Sequence, residues 1–232
     1  MTLNIETSTN ICSAALTEGS QVIASCLTAD GNHAHDLPLF VQSLLQTAKD
    51  NNKTINAVAV SQGPGSYTGL RIGVATAKGI CFGLGVPLLA VDTLQLLSAS
   101  LLAQYPQLPD SALLCPMLDA RRMEVYTALY TTRLQAVTAV EAKIINSESF
   151  LDILSEKQLV FFGNGASKCK DIITHDNALF IDNIVPDAKY MGLLAEQKLQ
   201  AGDFADIAYF APFYLKEFHA TVSHKAQDVL GI

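Results

Sequence analysis

The chain has 232 residues, is 50% hydrophobic and 16% charged, and contains 14 Gly, 8 Pro and no Trp. That apolar fraction fills one large core or two modest ones and excludes a disordered protein, a collagen or a small disulfide scaffold. Fifteen Lys and Arg against 22 Asp and Glu leave a formal charge of -7, which repels a phosphate backbone and argues against autonomous nucleic-acid binding. The five cysteines, Cys12, Cys26, Cys81, Cys115 and Cys169, are odd in number and nowhere spaced as CxxC. They are expected to be reduced thiols of a cytoplasmic protein rather than bridges or zinc ligands. No unbroken apolar run reaches the ~20 residues of a membrane span, and MTLNIETSTN lacks the basic start of a secretory signal.

Thr2 to Glu6, Cys12 to Leu16 and Val22 to Leu27 read as an antiparallel meander, punctuated by the hydroxyls of Thr7, Ser8 and Thr9 and by Gly19-Ser20. Leu37, Phe40, Val41, Leu44, Leu45 and Ala48 then recur at helical spacing, which predicts a helix over 37–51 with Asp36 as its cap and Pro38 in its first turn. His33 and His35 fall on the loop before it. Ala57 to Ser61 is a strand that runs into a Gly-rich turn, and a second helix follows from near Thr68 to about Leu84. Val86 to Val91 is another strand, and Asp92 or Thr93 can cap a third helix from Leu94 to Gln104. This alternation makes the sheet parallel or mixed.

Tyr105 to Asp110, with Pro106 and Pro109, is the expected boundary between a lobe of residues 1–106 and a smaller one of residues 107–232, whose last segment is free to return to the first. Strands are predicted over 112–118, 123–131, 159–162 and 178–181, with helices over 147–156 and 186–201, the latter begun by Pro186 and ended by Gly202. The segment APFYLKEFHATVSHK is expected to be loop or frayed helix, and no repeat at a fixed period is visible.

The sharpest motif is GPGSYTGLR, Gly63 to Arg71. Gly63, Pro64 and Gly65 shape a tight turn, and Ser66 or Thr68 can cap the helix that follows. A turn at a helix N-terminus can also cradle an anion, although the GKS or GKT ending of a P-loop is missing. In the following helix Leu70, Ile72, Val74, Ala75, Ile80, Cys81 and Phe82 spread round most of the circumference, so it must be covered on two sides, by its own domain or by another chain. Gly69, Gly73 and Ala77 recur every fourth residue, flat enough for another helix to approach. Gly73→Leu is therefore expected to block such an approach while leaving the fold largely intact.

Glu6, beside three hydroxyls, reads either as a turn carboxylate or as part of a nucleotide-metal site. His33 and His35 lack a third ligand nearby, and HxxxH does not occur, so hydrogen bonding is the expected role. Asp119, Arg121 and Arg122, followed by Glu124, form a charged corner in which Arg-carboxylate pairing is favoured over a phosphate clamp. Cys12, Cys26 and Cys81 have no neighbouring base to make a thiolate, and GPGSYTG is not the GxSxG of a serine nucleophile.

IETST at 5–9, His33 followed by Leu37 and Pro38, GPGSYTGLRIGVATAKG at 63–79, LDARRMEVY at 118–126, GNGA at 163–166 and PFYLKEF at 212–218 together resemble the TsaB (YeaZ) family, in the family's order and over nearly the whole chain. The resemblance implies an α/β, two-lobed actin, sugar kinase and Hsp70 ATPase-like fold with mixed sheets flanked by helices. It also implies no independent catalysis: such proteins bind and stabilise TsaD, which transfers a threonylcarbamoyl group to the adenosine beside the tRNA anticodon, and a TsaE ATPase joins the assembly. In the family the first two helices pack on the equivalent pair of the partner, and the same surface forms homodimers when the partner is missing.

Carried onto this sequence, the interface comprises Leu39, Phe40, Ser43, Leu44, Thr47, Gly69, Ile72, Gly73, Thr76, Ala77 and Ile80. Glu6, Ser66 and Thr68 are the candidates for a nucleotide or anion site. Gly63, Pro64, Gly65, Asp119, Arg121 and Arg122 are structural. No catalytic residue and no metal are expected, no cofactor is expected on this chain alone, ATP or ADP is expected only in the complex, and tRNA contact is indirect. The alternatives are a phosphotransferase of the same fold, with Glu6 as its metal-associated carboxylate and the 63–69 turn near phosphate, or a metallopeptidase.

Overall fold

Side-chain alternation along the first strand decides what each helix covers. A computed structural model describes residues 1–29 and 31–216. In β1 (Thr2–Glu6), Leu3 and Ile5 enter one core, which turns Thr2, Asn4 and Glu6 to the opposite face. β1 is flanked by β2 (Ile11–Glu18) and β3 (Gln21–Ala29), both antiparallel to their neighbours, and on its other side by the parallel strands β4 (Ala57–Gly63) and β5 (Leu88–Asp92). The order is β3-β2-β1-β4-β5. Helices α1 (His33–Asp50) and α2 (Tyr67–Leu84) cover the Leu3 and Ile5 face through Leu37, Val41, Leu44, Ala48, Val74, Ala77 and Cys81.

After α3 (Thr93–Gln104) comes a second sheet, built from β6 (Leu113–Asp119), β7 (Glu124–Thr127), β8 (Tyr130–Thr131), β9 (Glu141–Ile144), β10 (Leu159–Phe162) and β11 (Ala178–Ile181). Its order is β9-β7-β6-β10-β11, with β8 also paired to β6; β6 is antiparallel to β7 and parallel to β10, which is parallel to β11. Order and direction repeat those of the first sheet, so the fold is a duplicated α/β unit of two mixed sheets. No sequence period marks the duplication because the connections differ: α1 has 18 residues, and its counterpart α4 (Leu151–Leu154) has 4.

α3 lies between the two sheets. Leu94, Leu97 and Leu101 pack with Leu114, Leu118, Val160 and Phe162, while Leu96 packs with Ala57, Ala59, Leu89 and Val91. A helix buried on both sides needs no polar stripe, and each enclosed leucine contributes about 1.5–3 kcal/mol. Leu194 and Ala195 of α5 (Gly192–Ala201), with Met191, join the Leu96 cluster, so this segment covers the first sheet rather than the second. Ala205 then bridges Leu88, Lys78 Nζ donates to Ala208 O and Phe210 O at 3.1 Å, and Phe213 N donates to Gln62 O at 2.7 Å. Among the described residues no helix is long and apolar enough to cross a membrane.

Several boundaries depart from expectation. α1 begins at His33, not Leu37, because Asn32 rather than Asp36 caps it, its Oδ1 accepting from Ala34 N at 3.1 Å; His33 and His35 are therefore helical. The strand expected over 123–131 divides into β7 and β8, which pair with different halves of β6. β9, a four-residue edge strand, is too short for alternation to reveal. The helix expected over 147–156 is the single turn α4, and that over 186–201 is a 3-10 turn at Ala188–Tyr190 followed by α5. Residues 217–225 of the expected loop or frayed helix lie outside the described residues.

Candidate functional site

The motifs scattered along the sequence meet in one cleft of about 1290 Å³ between the sheets. Residues 8–10 come from the β1–β2 turn, His33 from the start of α1, residues 64–68 from the start of α2, residues 118–124 from the β6–β7 turn, Asn164 from beyond β10, and residues 213–216 from the returning chain. Two loops are drawn together at its floor: Ser66 N donates to Ser8 O at 2.6 Å, and a Cβ on Gly65 would stand 2.4 Å from that same oxygen. Only glycine permits so close a backbone approach. Ser66 is the cap of α2, its Oγ accepting from Gly69 N at 3.2 Å, whereas Thr68 lies exposed in the cleft wall without that duty.

Glu6 is not part of this cleft. Its side chain takes the opposite face of β1, where Ser8 N donates to Oε1 at 2.5 Å and the Ser61 hydroxyl donates to Oε2. Burial pushes its carboxyl up to about 7, and the nearby Asp187 adds to the rise. The phosphotransferase alternative thereby loses the carboxylate that was to hold its metal. His33 Nε2 lies 2.9 Å from Thr9 O, and His35 Nδ1 lies 2.8 Å from Asp36 Oδ1. Among the described residues no three His, Cys, Asp or Glu side chains converge as metal ligands. All five cysteines are free, and burial pushes Cys12 and Cys81 up to about 11 and Cys115 to about 12, which keeps them as thiols.

The Asp119 corner is locked differently from expectation. Lys168 Nζ binds the Asp119 carboxylate and donates to Arg122 O and Glu124 O, each at 2.7 Å. Asp119 N donates to Asn164 Oδ1 at 2.9 Å, and Arg121 N to Asp119 Oδ1 at 3.0 Å. The arginine side chains take no part. Arg121 and Arg122 both adopt positive φ, 72° and 45°, and stand exposed at the cleft.

On the helical face, four of the expected contact residues are enclosed by this chain. Leu44, Gly69, Gly73 and Ala77 are buried; a Cβ on Gly69 would lie 2.0 Å from Thr7 O, and one on Gly73 would lie 2.2 Å from Thr7 Oγ1. The Gly69, Gly73, Ala77 stripe thus serves the approach of the β1–β2 turn, not of a foreign helix. Gly73→Leu should consequently lower stability by about 3 kcal/mol or more in urea denaturation, contrary to the expectation of an intact fold. Ser43 and Leu39 are exposed, the latter by 52%, and Phe40, Thr47, Ile72, Thr76 and Ile80 are half-buried. The side of α2 that faces water carries Ala75, Gly79 and Gly83, again every fourth residue, with no atom within 4 Å of a Cβ on Gly79 or Gly83. Phe82 beside them is 85% exposed and Leu84 49%. The two small-residue stripes are alike in sequence, and only the position of the sheet tells them apart.

A family model described as TsaD, tRNA N6-adenosine threonylcarbamoyltransferase, matches residues 27–224. The tRNA threonylcarbamoyladenosine biosynthesis protein TsaB of Bacillus subtilis (strain 168) is 34% identical over 74% of this chain and 74% of its own length. That of Escherichia coli (strain K12) is 28% identical over 92% and 94%. The solved structure of YeaZ from Pseudomonas aeruginosa superposes with a TM-score of 0.74 at 23% identity, covering 92% of this chain and 99% of that one. With the motifs gathered in one cleft of a duplicated fold, these matches show that the chain belongs to the TsaB (YeaZ) family of tRNA threonylcarbamoyladenosine biosynthesis proteins.

Proposed function

We propose that the chain is a non-catalytic scaffold subunit that binds a TsaD-type protein through the outward faces of α1 and α2. By binding the partner's active conformation more tightly than its inactive one, it favours threonylcarbamoyl transfer to the adenosine beside the tRNA anticodon in the cytoplasm. The observation that carries this reading is the exposure of Phe82, Leu84 and Leu39 in water next to the flat Ala75, Gly79 and Gly83 stripe. Large apolar side chains grouped with small residues are what a docking helix needs, since the former supply buried area and the latter let backbones approach. A TsaE-type ATPase joins the larger assembly, ATP or ADP enters with the complex, and tRNA reaches this subunit through its partner. Without the partner the same face pairs two copies of the chain. The inert role is supported by a Glu6 turned away from the cleft and by thiols held protonated.

Co-expression with a TsaD homologue, followed by assay of tRNA modification with each component omitted, tests the reading. Modification is expected only when both proteins are present, and Phe82→Asp should abolish co-elution while leaving the thermal midpoint within a few degrees. Modification by this chain alone, ATP turnover by it, or modification that survives its omission would each contradict the proposal.

A further inference from the structure

We infer that residues 204–214 form a third element of the docking surface, beside α1 and α2, and that Tyr209 is an anchor on it for the same TsaD-type partner. This rests on the scaffold reading and extends it beyond the helices. The segment is a strap that runs along the flank of α2 from its end to its start. Ala205 bridges Leu88, beyond the end of the helix; Ala208 O and Phe210 O accept from Lys78 Nζ, near its middle; Phe213 N donates to Gln62 O, before its start, and the Tyr214 ring lies 4.7 Å from that of Tyr67, its first residue. The side chains of the strap divide between two directions. Ala205, Ile207 and Phe210 pack on the core beneath α1 and α2, whereas Phe204 is 51% exposed and Tyr209 87%.

Tyr209 is fixed in that exposed position. Asp206 Oδ1 accepts from Ala208 N at 2.8 Å and from Tyr209 N at 3.1 Å, Phe210 N donates to Asp206 O at 2.8 Å, and Lys78 grips the carbonyls on either side of Tyr209. A ring presented on a locked turn loses little freedom when it docks, and tyrosine is among the residues that most often carry interface energy. Two observations name the occupant. Lys78 and Phe82 are four apart and share one side of α2, so the strap is continuous with the face on which Phe82 stands 85% exposed. A partner seated on Phe82 and covering about 800 Å² of this chain, the usual share of a stable interface, reaches across Lys78 to Tyr209. The TsaD family model matches residues 27–224, a stretch that contains both helices and the strap. A TsaD-type partner is therefore a relative with the same elements side by side, and near-twofold docking of relatives sets like patch against like patch.

The test is calorimetric titration of the full chain with a TsaD homologue, using the parent, Tyr209→Ala, Tyr209→Phe and Phe82→Asp, with a melting curve of each. Tyr209→Ala is expected to weaken the complex roughly tenfold or more, while its thermal midpoint stays within a few degrees of the parent's because the side chain stands in water. A Tyr209→Phe protein that binds like the parent assigns the contact to the ring; one that binds like Tyr209→Ala assigns it to the hydroxyl, and either supports the anchor. Loss of binding in Phe82→Asp with unchanged affinity in Tyr209→Ala would overturn the inference and leave the scaffold reading standing, whereas a parent that does not bind the homologue overturns both. Sedimentation of the chain alone covers the other occupant. If Tyr209→Ala dissociates a homodimer yet titrates into the homologue like the parent, the strap belongs to self-pairing and the inference falls.

Discussion

Gly79→Leu is expected to weaken the complex with a TsaD homologue by roughly 100-fold or more while the isolated protein melts at the same temperature or higher. Nothing lies within 4 Å of the position a Cβ would take on Gly79, so the new side chain leaves the helix into open space. Leucine in place of glycine in a helix interior gains about 0.5–1 kcal/mol of helix propensity. Against a docked helix the same side chain props the axes apart and strips contacts from Phe82 and its neighbours, the general penalty of overfilling a close-packed interface. Gly73→Leu, six residues earlier on the same helix, should do the reverse: it damages the fold against Thr7. Size-exclusion and calorimetric titration of the two variants, with their melting curves, separate the faces of α2; a Gly79→Leu protein that binds like the parent would show that this side of the helix is not used.

The second large effect is expected from Glu6→Gln. Among the described residues no cation offsets the burial of Glu6, and its carboxyl is pushed from the ordinary value of 4.5 up to about 7. A raised folded-state value means the fold holds the proton more tightly than the unfolded chain does. The stability contributed is fully present below pH 4.5 and is lost as pH rises through about 7, a change of about 3 kcal/mol over that window. Glutamine keeps both contacts, accepting from Ser8 N and donating to Ser61 Oγ, and has no proton to lose. Urea denaturation at pH 5 and at pH 8 should show the parent losing stability over this interval by more than the variant, and the variant the more stable of the two at pH 8. Equal pH dependence in both proteins would remove Glu6 as its source.

The first lobe was more legible than the second for physical reasons. β1 alternates, β4 is an apolar run that ends in a Gly-rich turn, and α2 and α3 are apolar segments of 18 and 12 residues, too long for strands; the Asp92 cap of α3 was among the expected pair. β8, β9 and α4 have 2, 4 and 4 residues, too few for any period, and their existence depends on what β6 and β7 offer them. The start of α1 was misplaced because Asn32 and two histidines look like loop until the cap geometry is seen. At the site, the tight turn of Gly63, Pro64 and Gly65 and the Ser66 cap were readable, while the Ser8 carbonyl on which the turn packs was not, since nothing local in the sequence joins residues 57 apart. The partner of Asp119 was not: Lys168 is 49 residues away, and nothing local distinguishes it from the adjacent arginines. Choosing the wrong small-residue stripe of α2 has the same origin, because Gly69, Gly73, Ala77 and Ala75, Gly79, Gly83 share one spacing and differ only in which side the sheet occupies.

Hydrogen-deuterium exchange of the chain, alone and saturated with a TsaD homologue, tests the docking face most directly. The account predicts added protection across α1 and α2, strongest in the last two turns of α2 around Gly79 to Leu84, with β9 and β11 at the edges of the second sheet unchanged. Protection confined to the second sheet, with both helices exchanging as in the free protein, would contradict it.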